Sequence, residues 1–177
     1  VAAKREALIV KFVLRQVPEV DDRVVNKVLL AGFATIGDIA ETAPDDLARS
    51  SSISRTLADK IFMKVFQYEE MYFRPKEPSA EAKFRAYFAI CLNVVKEIQG
   101  EVQRLAVEGN VTKERKEKLY ADRQRALWGL FALLCLRGQL DEIERLQRAV
   151  FEQRIVMLEE YYTNLTAEPF PTGRRRS

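Results

Sequence analysis

The chain has 177 residues, 47% of them apolar, and its seven glycines and six prolines are too few for a disordered or β-rich protein. Its net charge is +3, from 29 Lys and Arg against 26 Asp and Glu, and Arg174–Arg176 alone supply three positive charges. The rest of the chain is neutral, so it lacks the overall basic bias of a nucleic-acid-binding protein, although a local basic patch is compatible with the count.

Hydrophobic periodicity and capping residues predict five helices before residue 75. Pro18 ends the first of them, and Gly32 ends the second because glycine adopts positive φ readily. Thr35 and Ser54 have the short polar side chains that cap a helix N-terminus. The predicted helices are 4–16, 22–31, 36–40, a short one that begins at Pro44, and 55–71.

Arg74–Pro78 contains two prolines and predicts a stiff linker at a domain boundary. Beyond it, apolar residues at a spacing of three to four predict long helices that pack as an antiparallel bundle, at 79–107, 112–136 and 140–162. The C-terminal segment lacks periodicity and is predicted to be a mobile basic tail. The expected fold is therefore all-α, with a short-helix module at 1–74, a long-helix bundle at 79–165 and the tail at 166–177.

Two short helical hairpins in tandem occupy the run LLAGFATIGDIAETAPDDLARSSSISRTLADKI, Leu29–Ile61. This run resembles the tandem helix-hairpin-helix domain family, over about residues 21–66. The matching features are the Ala-Gly-Phe turn at 31–33, the Pro-Asp-Asp-Leu-Ala run at 44–48, and Ile53-Ser54 before an alanine-containing helix. The resemblance implies a module whose turns present backbone N–H groups to nucleic-acid phosphates. Members of the family also serve as protein-docking modules.

The resemblance makes seven residues in and beside the turns candidates for phosphate contact: Gly32, Thr35, Arg49, Ser52, Ser54, Arg55 and Lys60. The family usually has glycine in the second turn, where this chain has serine. We expect the Ser52 side chain to disfavour positive φ and to hinder close approach of a phosphate. Convergence of the nearby cations on one face would favour nucleic acid. Their pairing with Asp46 and Asp59 would favour a packing or docking unit.

Aromatic residues cluster around the proline linker, and four of them are candidates for protein docking: Tyr68, Tyr72, Phe73 and Tyr87. Aromatic side chains supply large contact areas both in cores and at interfaces. The alternative is that they form the seam between the hairpin module and the bundle.

No feature of the chain predicts catalysis. Histidine is absent, which removes the commonest general base and metal ligand, and no phosphate loop or zinc-type cysteine spacing is present. We therefore expect no enzyme activity, no metal and no cofactor. Cys91 and Cys135 lie in apolar runs, which favours buried reduced thiols and a cytoplasmic protein. The longest apolar run is too short to span a membrane.

The sequence thus predicts a non-enzymatic helical regulatory or scaffolding protein that acts by docking onto a protein partner. The alternative is a DNA- or RNA-binding protein that contacts phosphates through the hairpin turns. Homodimerisation through the long helices is compatible with either function and is left open.

Overall fold

The computed structural model describes residues 2–170, and every regular element in that range is an α-helix. The predicted all-α fold class is therefore confirmed. Residues 171–177, with the arginines of the predicted tail, lie outside the described residues. The helices of the described part are α1 (Ala2–Leu14), α2 (Asp22–Leu30), α3 (Ile36–Ala40), α4 (Pro44–Ser51), α5 (Arg55–Phe73), α6 (Pro78–Glu108), α7 (Lys113–Leu136), α8 (Leu140–Arg148) and α9 (Phe151–Ala167).

Short polar side chains and prolines begin the helices close to where the sequence predicts. Thr35, Ser54 and Thr112 each accept a hydrogen bond from the backbone N–H three residues further on, at 3.0, 3.1 and 3.2 Å. These caps satisfy donors that the first turn of a helix leaves without a partner. Pro44 and Pro78 are the first residues of α4 and α6, where a missing N–H costs nothing.

The prediction of a single last helix at 140–162 is wrong. The chain leaves helical geometry at Ala149 and Val150, which separates α8 from α9. The side chain of Arg154, in α9, donates hydrogen bonds to the carbonyl oxygens of Ala149 and Gln147, both at 3.0 Å. A residue of the next helix therefore supplies hydrogen-bond donors to carbonyl groups at the C-terminal end of α8. Helix α9 continues to Ala167, and so includes the first two residues of the predicted tail, 166–177.

The hydrophobic core is continuous across the proline linker. Helix α1 lies against α7, where the Phe12 ring stacks on Trp128 with centroids 5.5 Å apart. Arg5 donates hydrogen bonds to the carbonyl oxygens of Cys135 and Leu136 at the end of α7, at 2.9 and 2.6 Å. A helix of the predicted N-terminal module therefore packs against the long helices, while the division of the chain into domains stays a prediction.

Four helices meet tightly around Gln16, which follows α1. Its amide oxygen accepts a hydrogen bond from the Tyr68 hydroxyl of α5 at 3.0 Å, and its amide nitrogen donates to the carbonyl oxygen of Phe12 at 3.1 Å. A side chain on Gly129 of α7 would meet both Gln16 and Cys91 of α6. Tyr68 therefore belongs to the buried face of α5.

Candidate functional site

The two turns in the hairpin segment share one backbone geometry. Gly32 and Ser52 both have positive φ, 98° and 55°, and each follows the end of a helix. The next residue in each turn, Phe33 or Ile53, donates its N–H to a carbonyl five residues back, at 3.3 and 3.0 Å. Contrary to the expectation from its side chain, Ser52 thus adopts the left-handed conformation that glycine adopts in the first turn. This costs an L-residue about 1–2 kcal/mol.

A carboxylate of the protein already occupies the N–H groups of the first turn. Oδ2 of Asp38 accepts hydrogen bonds from the backbone N–H groups of Ala34 and Thr35, at 3.0 and 3.1 Å. The Thr35 hydroxyl accepts one from the N–H of Asp38, which completes a reciprocal cap. A phosphate at this turn would have to displace Asp38. Neither Gly32 nor Thr35 therefore offers a ready anion site.

In the second turn, the Ser54 hydroxyl is engaged as the cap of α5 and accepts a hydrogen bond from the N–H of Leu57. Ser52 is exposed, and the ammonium group of Lys27 lies 3.5 Å from its carbonyl oxygen. The second turn therefore keeps one cation beside the backbone carbonyl of an exposed serine.

The predicted phosphate-contacting cations form ion pairs with nearby acids. Arg49 contacts Asp46 at 2.5 Å. Arg55 contacts Asp59 at 3.0 Å and also pairs with Asp45, and these two carboxylates raise the pKa of its guanidinium.

Lys60 forms an ion pair with Glu19, whose pKa is lowered mainly by this hydrogen bond. Lys64 has a half-buried ammonium group that donates to Gln67 at 3.1 Å, and burial lowers its pKa. Each of the four cations thus has a partner within the chain. The pairing of Arg49 with Asp46 and of Arg55 with Asp59 is the arrangement expected of a packing or docking unit.

The aromatic residues chosen as docking candidates lie mainly in the seam between helices. Tyr68 is only 2% exposed and contacts the ring of Tyr87 edge-on at 6.1 Å, so it has no surface to offer a partner. Burial also raises the pKa of the Tyr68 hydroxyl. Tyr72 is partly buried, and its hydroxyl donates to Glu6 at 3.1 Å. Phe73 is the most exposed of the four, at 44%, and one edge of its ring lies against α3.

Two other apolar side chains of α5 are more exposed, and the sequence analysis missed them. Met63 and Phe66 are 65% and 63% exposed, and they lie one helical turn apart on the side of α5 opposite its buried residues. Ile90 of the adjacent helix α6 is also exposed. The signal was available in the sequence, because the buried positions 58, 61, 65 and 68 define one face of α5 and leave 63 and 66 on another.

A shallow groove of about 350 Å³ runs beside Met63. One wall is formed by Val17 and Pro18 after α1, and the other by the α5 residues from Asp59 to Gln67. We call Met63, Phe66 and the walls of this groove the α5 face. The combination of exposed apolar side chains with an adjoining groove suits a partner's side chain rather than a reaction.

Within residues 2–170, no group of three or more potential ligands could hold a metal ion. In the same range, no helix combines the length and apolarity needed to cross a membrane. The sequence matches no protein-family model and shows no significant similarity to a curated protein or to a solved structure.

Proposed function

We propose that this chain is a non-enzymatic helical docking protein that binds a protein partner through the α5 face. The proposal rests on Met63 and Phe66, two large apolar side chains that point into solvent next to each other. Complete burial of such a side chain contributes about 1.5–3 kcal/mol. Because about two-thirds of each remains exposed, a partner that covered both would gain roughly 2–4 kcal/mol.

The charged side chains around the α5 face would not oppose its burial by a partner. Lys60 is already paired with Glu19, and Arg55 with its two carboxylates, so a partner need not neutralise them. Lys64 is half-buried, and among the described residues it has a hydrogen bond to Gln67 but no ion pair. A partner that placed a carboxylate opposite Lys64 would gain a charge-assisted hydrogen bond at the edge of an apolar contact.

The test is affinity capture with matched surface variants. Phe66→Ser removes an apolar side chain from the α5 face, and Val107→Ser removes one from α6 at a site that is 88% exposed and far along the chain. Both exchange an exposed apolar residue for serine within a helix. A partner that wild type and Val107→Ser retain, and that Phe66→Ser binds roughly 5- to 30-fold more weakly, supports the proposal. Equal retention by all three proteins contradicts it.

A second candidate function is nucleic-acid binding through the second turn. It is supported by the left-handed conformation of Ser52 and by Lys27, which lies beside its carbonyl oxygen. The test is fluorescence anisotropy of labelled duplex and single-stranded DNA at about 50 and 200 mM salt. Lys27→Glu should abolish such binding. Lys83→Glu, a lysine already paired with Glu70, serves as the control.

Two results together would support nucleic-acid binding: salt-sensitive affinity that survives removal of residues 172–177, and its selective loss in Lys27→Glu. Absence of binding, or binding that vanishes with the C-terminal residues, would contradict it.

A further inference from the structure

A buried charge cluster lies where α6 meets the end of α7, away from the α5 face. Glu81 of α6 receives a hydrogen bond from Nε of Arg85 at 2.9 Å and also pairs with Arg137. Arg85 is only 8% exposed, and Glu81 is 9% exposed. Two guanidinium groups therefore share one carboxylate. Arg137 also faces solvent, with 32% of its side chain exposed, whereas Arg85 is nearly buried.

One edge of the Arg85 guanidinium has no hydrogen-bond acceptor among residues 2–170. Within residues 2–170, Nε is the only atom of this group with a hydrogen bond, so Nη1 and Nη2 have no protein acceptor there. Among the described residues, the fully buried side-chain polar atoms that lack a partner are Nε of Arg15 and Oγ of Ser51. Nη1 and Nη2 of Arg85 are not fully buried, so they keep a small contact with solvent. A planar guanidinium with a free Nη edge is the geometry that binds a carboxylate through two parallel hydrogen bonds.

One aromatic ring lies over the Arg85 guanidinium, and others lie beside its partner Arg137. The Phe170 ring lies 4.3 Å from Cζ of Arg85, and the Phe84 ring lies 3.7 Å from Cζ of Arg137. Phe88 stacks on Phe84 at 6.2 Å and on Tyr161 at 5.3 Å. A carboxylate that reached Arg85 would carry its body past Phe170, which is itself half exposed.

We propose that Arg85 and Phe170 form a binding site for a carboxylate carried on an aromatic body. The acid would accept two hydrogen bonds from Nη1 and Nη2, and its ring would pack against Phe170. Binding would place a second carboxylate beside the nearly buried Arg85, where incomplete charge compensation is costly. This site is independent of the proposed docking function and would stand if that function failed.

The experiment is a titration of the intact chain with sodium benzoate at constant ionic strength, followed by thermal unfolding and by the Nε–H signals of arginine in NMR spectra. Benzamide, which has the ring without the charge, is the matched control. We expect benzoate to bind with a Kd of about a millimolar or tighter, to raise Tm, and to shift the Arg85 signal. Equal effects of benzoate and benzamide would overturn the proposal.

Variants separate binding from a structural role. Arg85→Lys keeps the charge but loses the planar fork, so benzoate affinity should fall about tenfold or more. Glu81→Gln removes the carboxylate that competes with benzoate for the positive charge of Arg85, so benzoate affinity should rise by about tenfold. If Glu81 and Arg85 form a purely structural ion pair, this substitution should only make the protein less stable. Arg104→Gln, an exposed arginine paired with Glu101 and Glu108 near the other end of α6, should change nothing. Should Arg85→Lys fail to fold, an unchanged benzoate affinity in Glu81→Gln would by itself overturn the proposal.

A second probe identifies the source of the acid. N-acetyl-Gly-Phe with a free carboxylate represents a peptide terminus, and its amide is the control. Tighter binding of this peptide than of benzoate assigns the site to a chain terminus, and the reverse order assigns it to a small free acid. Failure of both acids to bind more tightly than their neutral controls refutes the site.

Discussion

Two glycines in the middle of long helices should respond in opposite ways to the same substitution. Alanine is favoured over glycine in a helix by about 1 kcal/mol. At Gly100 in α6, an added Cβ would meet no atom within 4 Å, so Gly100→Ala should stabilise the protein by roughly 0.5–1 kcal/mol. At Gly129 in α7, the same Cβ would lie 2.8 Å from Sγ of Cys91 and 3.2 Å from Oε1 of Gln16.

The cost at Gly129 comes from moving groups that other contacts hold in place. Gln16 is bound to the Tyr68 hydroxyl and to a backbone carbonyl, so its shift would weaken a buried hydrogen bond worth about 1 kcal/mol. Overpacking against Cys91 adds about 1–3 kcal/mol. After the helix-propensity gain, Gly129→Ala should lower the free energy of unfolding by roughly 1–3 kcal/mol.

Denaturant unfolding followed by far-UV circular dichroism measures both changes. At this chain length, 1 kcal/mol corresponds to a change in Tm of about 2–4 °C. Cys91→Ala should relieve part of the strain, so the double variant with Gly129→Ala should be more stable than the sum of the single effects. Stabilisation by Gly129→Ala equal to that by Gly100→Ala would refute the close packing of α1, α6 and α7.

Three further predictions follow from backbone strain, an unsatisfied hydroxyl and buried thiols. Ser52→Gly should stabilise the protein by about 0.5 kcal/mol, because relief of the left-handed strain exceeds the entropy that glycine adds to the unfolded chain. Gly32→Ala should instead destabilise it by about 1–2 kcal/mol. Equal effects of the two substitutions on Tm would contradict this. Ser51→Ala should stabilise by about 1 kcal/mol in urea unfolding, since the buried hydroxyl has no partner among the described residues; a loss of stability would reveal one. Burial raises the pKa of Cys91 to about 11 and of Cys135 to about 12, so at pH 8 a thiol reagent should modify the native protein at least about a hundredfold more slowly than the unfolded one. Because the unfolded thiols ionise near their ordinary pKa of 9.0, the free energy of unfolding should fall above that pH; a flat profile would contradict the burial.

Local signals made most of the helix starts predictable. A hydroxyl at Thr35, Ser54 or Thr112 and a proline at Pro44 or Pro78 act within one helical turn, so their effect can be derived without the rest of the fold. The break between α8 and α9 has no glycine or proline. It depends on a long side chain that reaches back to two carbonyl oxygens, and periodicity does not report such a contact.

The candidate site was harder to predict because it depends on pairing across the chain. Lys60 is held by Glu19, which is 41 positions earlier, and no local pattern indicates that contact. The exposure of Phe66 could be predicted from the sequence, because the helical period of α5 places it on a different face from the buried Tyr68. Both residues are aromatic, so a search for aromatic residues alone does not distinguish them.

Photo-crosslinking from position 66 tests the docking claim most directly. Phe66 is replaced by p-benzoylphenylalanine, and Val107 is replaced in the same way as the control, since both sites are exposed. Each protein is irradiated in extract of its source cells, with and without excess unlabelled wild-type chain. The account predicts one discrete crosslinked protein from position 66, competed by the wild-type chain and missing from position 107. Identical products from both positions, or products that the wild-type chain does not compete, would contradict a docking role for the α5 face.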